Sequence, residues 1–151
     1  FRAAEHVQDF LPMSKRDILK FEGCAEAWKR ALADAGISLA DLSLVETHDC
    51  FTIAELIEYE AMGLTAEGQG ARAVAEGWTQ KNGKLPVNPS GGVLSTNPIG
   101  ASGMTRFGEA ALQFMGPAGE HQVDKARRGF GHAYGGGSQF FAMWVVGDTK
   151  P

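Results

Sequence analysis

The chain has 151 residues, 44% of them hydrophobic and 21% charged, which is enough for one domain with a sizeable core and too few for two ordinary ones. A formal net charge of -4 gives no electrostatic reason to expect nucleic acid or an anionic membrane as partner. No apolar run approaches the roughly 18 residues that span a bilayer, and no charged-then-apolar leader opens the sequence. The two cysteines, Cys24 and Cys50, form neither a disulfide framework nor a zinc spacing, so no metal site is expected and a reducing, cytoplasmic setting fits best. Phe1 in place of an initiator methionine points to an internal or processed segment.

In chain order, Ser14 caps a predicted helix whose apolar positions Ile18, Phe21, Ala25, Trp28, Leu32 and Ala35 recur at three- and four-residue steps until Gly36 stops it. After a short connection, residues 42–47 have the length and β-branched content of a buried strand. Residues 52–62 read as an amphipathic helix with Ile53, Leu56 and Ile57 on its apolar face, ended by Gly63; residues 66–76 read as another. The density of breakers in residues 77–95 fits a loop. It leads into a helix over 102–115 that carries Met104, Phe107, Ala110, Leu112 and Phe114 with few charges, as expected for burial on most sides. Strand-like runs at 127–134 and 138–146 follow, the second apolar enough to be covered on both faces. Helices alternating with short apolar strands predict a layered α/β domain.

Three motifs carry the chemistry. The first is Asn88-Pro89-Ser90-Gly91-Gly92 followed by Asn97-Pro98-Ile99-Gly100-Ala101-Ser102-Gly103. Its glycines let backbone approach a ligand, Pro98 disfavours the helical conformation at Asn97, and a helix begins just beyond. The second is His48-Asp49-Cys50-Phe51, an imidazole, a carboxylate and a thiol between a strand and a helix. A helix N-terminus or a protonated histidine lowers a thiol pKa, which makes such a cysteine a competent acid/base group. The same residues also fit a small core filler and a hydrogen-bonded loop histidine. The third is Gly135-Gly136-Gly137, either a tight turn or a loop facing a ligand. Tyr134 before it has a proton to donate, although an aromatic beside a strand more often fills a core. His132 is ambiguous in the same way, and His6 and His121 read as surface residues.

Taken in order, these motifs resemble the C-terminal domain of thiolases, in particular the sterol-carrier-protein-type branch, over most of the chain from Ser14 to Val146. His48-Asp49-Cys50-Phe51 stands where thiolases generally have Asn-Glu-Ala-Phe. The resemblance implies an α/β fold, the C-terminal half of the thiolase fold, with a layered mixed five-stranded sheet covered by helices on both faces. It implies that Cys50 is the proton shuttle, since His132-Ala133-Tyr134 carries no cysteine before the glycines, and that His48 holds the thioester oxygen. Asn97 stands in place of the histidine of a Gly-His-Pro motif; its amide can donate a hydrogen bond but has no titratable proton. Ser90, Gly91, Gly136 and Gly137 are the implied contacts to coenzyme A.

The resemblance also sets expectations for function. The chain would be the catalytic C-terminal half, or subunit, of an acyltransferase acting on β-ketoacyl-CoA or acyl-CoA thioesters, with coenzyme A as substrate or cosubstrate and no permanently bound cofactor. Cys24 lies mid-helix among core-spaced residues, so the nucleophilic cysteine must come from an N-terminal thiolase domain or a partner subunit, in a homo- or hetero-oligomer. Two alternatives remain open: a thiolase-fold aldolase cleaving a carbon–carbon bond of an acyl-CoA, and a non-catalytic acyl-CoA or lipid carrier or assembly subunit.

Overall fold

In the computed structural model, which describes residues 1–94, 96 and 98–149, the apolar run near the C-terminus lies at the centre of a sheet. Strands β1 (Ala3–Gln8), β2 (Leu44–Glu46), β3 (Arg128–Gly135) and β4 (Phe140–Gly147) are ordered β1-β4-β3-β2. β4 runs antiparallel to both β1 and β3, and β2 runs parallel to β3. Side chains alternate across β4. Phe141, Met143 and Val145 face one layer, and Trp144 and Val146 face the other.

The first layer is built by helices α1 (Glu22–Asp34) and α2 (Thr52–Ala61), whose Cys24, Ala27, Trp28, Ala54 and Tyr59 pack on Phe130, Phe141 and Val145. Trp28 stacks on Phe130 with ring centroids 3.5 Å apart. The short helix α3 (Gly70–Ala75) packs against α2. On the opposite face lies α4 (Ser102–Met115), whose Ala110 meets Leu44, Trp144 and Val146. Small residues of β3 make room there. A Cβ on Gly129 would come within 2.9 Å of Phe114, and one on Gly131 within 1.8 Å of Trp144 Nε1. Gly131→Ala is therefore expected to cost about 1–3 kcal/mol by overpacking, read from urea unfolding, and Trp144→Leu in the same chain should recover part of it.

The layered α/β architecture agrees with the sequence reading, with particular differences. The described sheet has four strands rather than five. A fifth segment reaches β2 only through a single parallel bridge, Val45 to Val87. Pro86 has no N–H to extend a ladder, and Asn88 at φ 48° turns the chain away. β1 was not foreseen, because its polar–apolar alternation is weak. α1 begins at Glu22, not after Ser14, which sits in a 3-10 turn over Met13–Lys15. Phe21 adopts φ 44°, and the Asp9 carboxylate at the end of β1 accepts a hydrogen bond from the Gly23 N–H at 3.3 Å. Ile18 and Leu19 are thus exposed rather than core residues. In α2 the buried side chains are Ala54, Glu58 and Tyr59, while Ile53 faces solvent. α4 spans the expected residues, but its inward face carries Ser102, Arg106, Ala110 and Gln113 and leaves Met104 and Met115 exposed. A buried carboxylate opposite Arg106 accounts for this rotation of the helix.

Candidate active site

Parallel pairing of β2 with β3 brings the C-terminal ends of both strands to one edge of the sheet, the usual place for a ligand crevice in α/β folds. β2 continues into His48, Asp49 and Cys50. β3 ends in His132, Tyr134 and the glycine loop. Between them opens a cleft of about 580 Å³ lined by His48, Cys50, Phe51, Tyr134 and residues 135–137, with Ile99 and Gly100 on the far side. His48, Cys50, Gly136 and Gly137, far apart in sequence, thus meet in one place. Asn97 lies outside the described residues.

The segment after β2 sends its residues in alternate directions. His48 and Cys50 line the cleft. Asp49 points away and is buried, and its carboxylate accepts a hydrogen bond from the Val93 N–H at 2.6 Å. Gly92 lies against that carboxylate at φ 68°, where a Cβ would sit 2.1 Å from Asp49 Oδ2. The Asn88 to Gly92 turn is therefore the anchor of the His48 segment. Asn88 Oδ1 accepts from the Thr47 N–H at 2.7 Å, and the Asn88 N–H donates to the Val45 carbonyl at 2.7 Å. Ser90 serves the same frame: its hydroxyl donates to Glu46 at 2.8 Å and accepts from Arg106 at 2.9 Å. Neither Ser90 nor Gly91 is among the residues lining the cleft.

Cys50 Sγ lies 2.9 Å from the Tyr134 hydroxyl, and either can donate. Burial, and then the contact with Cys50, push the Tyr134 phenol above its ordinary range, so it holds its proton at neutral pH. His48 packs edge-on against the Tyr134 ring at 4.6 Å between centroids. Burial lowers the His48 pKa from its ordinary value; the Arg106 charge adds to this and Asp49 opposes it. His48 is therefore a neutral imidazole at neutral pH, not the protonated histidine that would draw the thiol towards thiolate. Its buried Nδ1 has no hydrogen-bond partner among the described residues. The site thus offers a thiol and a phenol in contact, a neutral histidine beside them, and a glycine loop. Arg16 holds that loop by donating to the Gly137 and Ser138 carbonyls.

Tyr134 is the residue that sequence reasoning undervalued. The alternation of Phe130, His132 and Tyr134 along β3 puts the three side chains on one face, and the last sits at the strand end where the loop begins. From the cleft an apolar groove of about 370 Å³ continues past Phe51 and Tyr134 towards Ile18, Leu19 and Ile57. Among the described residues no group of three or more histidine, cysteine, aspartate or glutamate side chains could hold a metal ion, and no helix is long and apolar enough to cross a membrane.

A mixed sheet between helical layers, with an imidazole–thiol strand exit facing a glycine loop, defines a thiolase-like α/β domain. Residues 4–148 match the thiolase C-terminal domain-like family model, and the chain belongs to that family. It is 38% identical over 123 residues to acetyl-CoA acetyltransferase of Methanothermobacter thermautotrophicus, covering 81% of this chain and 32% of that protein. It is 36% identical over 151 residues to human sterol carrier protein 2, covering 95% of this chain and 28% of that protein. The chain thus spans about a third or less of the length of these relatives. In fold it is similar to the Ltp2-ChsH2(DUF35) aldolase, with a TM-score of 0.83 at 21% identity over 98% of this chain and 39% of that one.

Proposed function

We propose that this domain is the C-terminal catalytic half of an enzyme that makes or breaks the Cα–Cβ bond of an acyl-CoA thioester. The observation that carries this reading is the meeting of His48, Cys50, Tyr134 and the glycine loop in one cleft. A thioester carbonyl seated there would have its oxygen beside the His48 ring and the loop amides, and its α-carbon beside the Cys50–Tyr134 pair. That pair moves the proton on which enolate chemistry depends. The apolar groove next to the cleft suits the acyl group.

In the thiolase-type form, an N-terminal domain or partner subunit supplies the nucleophilic cysteine, and Cys50 protonates or deprotonates the leaving or attacking group. The relative named as acetyl-CoA acetyltransferase supports this form. The Tyr134 hydroxyl at 2.9 Å from Cys50 favours a second, aldolase form. There a base takes the proton of a β-hydroxyl, the Cα–Cβ electron pair moves onto the thioester as an enolate, and the phenol or thiol returns a proton to the α-carbon. No acyl-enzyme forms. The fold likeness to an aldolase fits this second form.

Product analysis with the full-length protein, together with any partner subunit, separates the two. Thiolysis consumes free coenzyme A and yields two CoA thioesters, whereas aldol cleavage proceeds without free coenzyme A and yields one thioester and a ketone or aldehyde. Tight binding of acyl-CoA with neither cleavage would overturn the catalytic reading in favour of a carrier.

A further inference from the structure

Directly behind the cleft, on the α1–α2 side of the sheet, three polar side chains are closed off from solvent within an otherwise apolar core. Thr47, Glu58 and His132 are each fully buried. The Thr47 hydroxyl lies 2.5 Å from Glu58 Oε2 and 2.7 Å from His132 Nδ1, so one hydroxyl links a helix α2 carboxyl to a strand β3 imidazole. Cys24 Sγ of α1 stands 3.8 Å from His132 Nε2 at the other end. Burial holds Glu58 well above the usual carboxylate range and His132 down at about 3, so the imidazole is neutral at neutral pH and no ion pair between the two offsets their desolvation. A leucine at 58 and an apolar residue at 132 would suit this core better.

The position of the hub gives the reason to keep it. Thr47 immediately precedes His48, and its N–H is also fixed, by Asn88. The His132 ring lies 5.7 Å from that of Tyr134, which also meets the His48 ring at 4.6 Å. Tyr134 in turn holds Cys50. The two segments that carry the cleft groups, 47–50 and 132–134, are thus joined side chain to side chain at one hydroxyl.

We propose that the Glu58–Thr47–His132 hub is a positioning device that sets the distance between the His48–Cys50 segment and Tyr134, with Thr47 as its essential member. The proposal rests on the reading of His48, Cys50 and Tyr134 as the working groups. Its test is chosen to need no substrate, so that failure of the proposed reaction leaves it intact. The rate at which iodoacetamide alkylates Cys50 is followed by peptide mass spectrometry across pH 6–9 in the full-length protein, with folding checked by circular dichroism; Cys24 is buried and serves as an internal marker of intact packing.

Thr47→Val keeps the shape and removes the hydroxyl. It is expected to change the Cys50 rate at fixed pH on the order of tenfold, the factor that accompanies one lost hydrogen bond. Thr47→Ser should restore the wild-type profile. If Thr47→Val fails to fold, Glu58→Leu decides, because it removes the hub's outer partner and puts an apolar side chain of similar size in its place; it must change the Cys50 rate at fixed pH by a comparable factor, and Glu58→Gln must not. Where an enzymatic activity is in hand, the same variants should lower kcat and leave KM nearly unchanged. A folded Thr47→Val, or a folded Glu58→Leu, with a wild-type Cys50 profile would overturn the proposal and reduce the hub to packing.

Discussion

Cys50→Ser in the full-length enzyme is expected to lower turnover on the order of a thousandfold, within the range that a positioned acid/base group contributes. A hydroxyl is a far weaker acid than a thiol, and so a far poorer proton shuttle, while the change in size is small. Tyr134→Phe is the informative companion, since it removes the 2.9 Å partner of Cys50 and keeps the ring that packs against His48 and Phe141. If acyl transfer through Cys50 is the reaction, the serine variant should lose more than the phenylalanine variant. If the phenol is the principal proton donor, as in the aldolase form, the order reverses. Steady-state turnover of both variants on one acyl-CoA substrate gives the ranking. Near-normal turnover in both would remove the Cys50–Tyr134 pair from the chemistry.

Arg106→Met is expected to destabilise the fold by about 3–5 kcal/mol, the usual cost of breaking a buried ion pair from one side. Arg106 and Glu46 are both fully buried and in contact, and the guanidinium also donates to Ser90 Oγ at 2.9 Å and to the Gly92 carbonyl at 3.2 Å. One side chain of α4 thereby fastens the turn that Asp49 also holds. Burial pushes the Glu46 carboxyl up to about 7, against the pull of Arg106 and Ser90. Without the guanidinium that opposition is lost and the carboxyl rises further. An acid whose folded-state pKa lies above its unfolded value contributes fully below the unfolded value, near 4.5, and loses its contribution as pH rises. The variant should therefore lose less stability at pH 5 than at pH 8 when measured by urea unfolding. Glu46→Leu combined with Arg106→Met should recover most of the loss, because no charge is then left buried. An equal loss at both pH values would show that packing of the arginine stem, not the orphaned carboxylate, dominates.

Much of the site was legible in the sequence because its members lie in compact local motifs. His48-Asp49-Cys50-Phe51 and the three glycines after Tyr134 could be read as candidates, and the structure brings His48, Cys50, Gly136 and Gly137 to one cleft. What the motifs did not carry was direction. β2 ends at Glu46, and the side to which each residue of 47–50 turns depends on which segments pack around the strand exit. That put Asp49 under the Gly92 turn and Glu46 opposite Arg106, and it gave Ser90 a structural partner. The protonation of His48 was likewise set first by burial, which outweighs the opposing charge of its neighbour Asp49 and is reinforced by Arg106, 58 residues further on.

The sequence by itself determined the element types wherever one period dominated: α4 from 102 to 115, and the apolar β4 with both faces covered. It determined the family through short ordered motifs. Only the tertiary structure decided the start of α1, where Asp9, just after β1, and the positive φ of Phe21 override the helical spacing from Ser14 to Phe21. It alone decided that the sheet has β1 as an edge and only a single bridge where a fifth strand was expected. It also decided that Tyr134 touches Cys50 and that Thr47 joins Glu58 to His132. Each of these depends on contacts between segments distant in the chain. Periodicity records which face of an element is apolar, whereas the partner that a polar side chain meets depends on how separate elements are stacked.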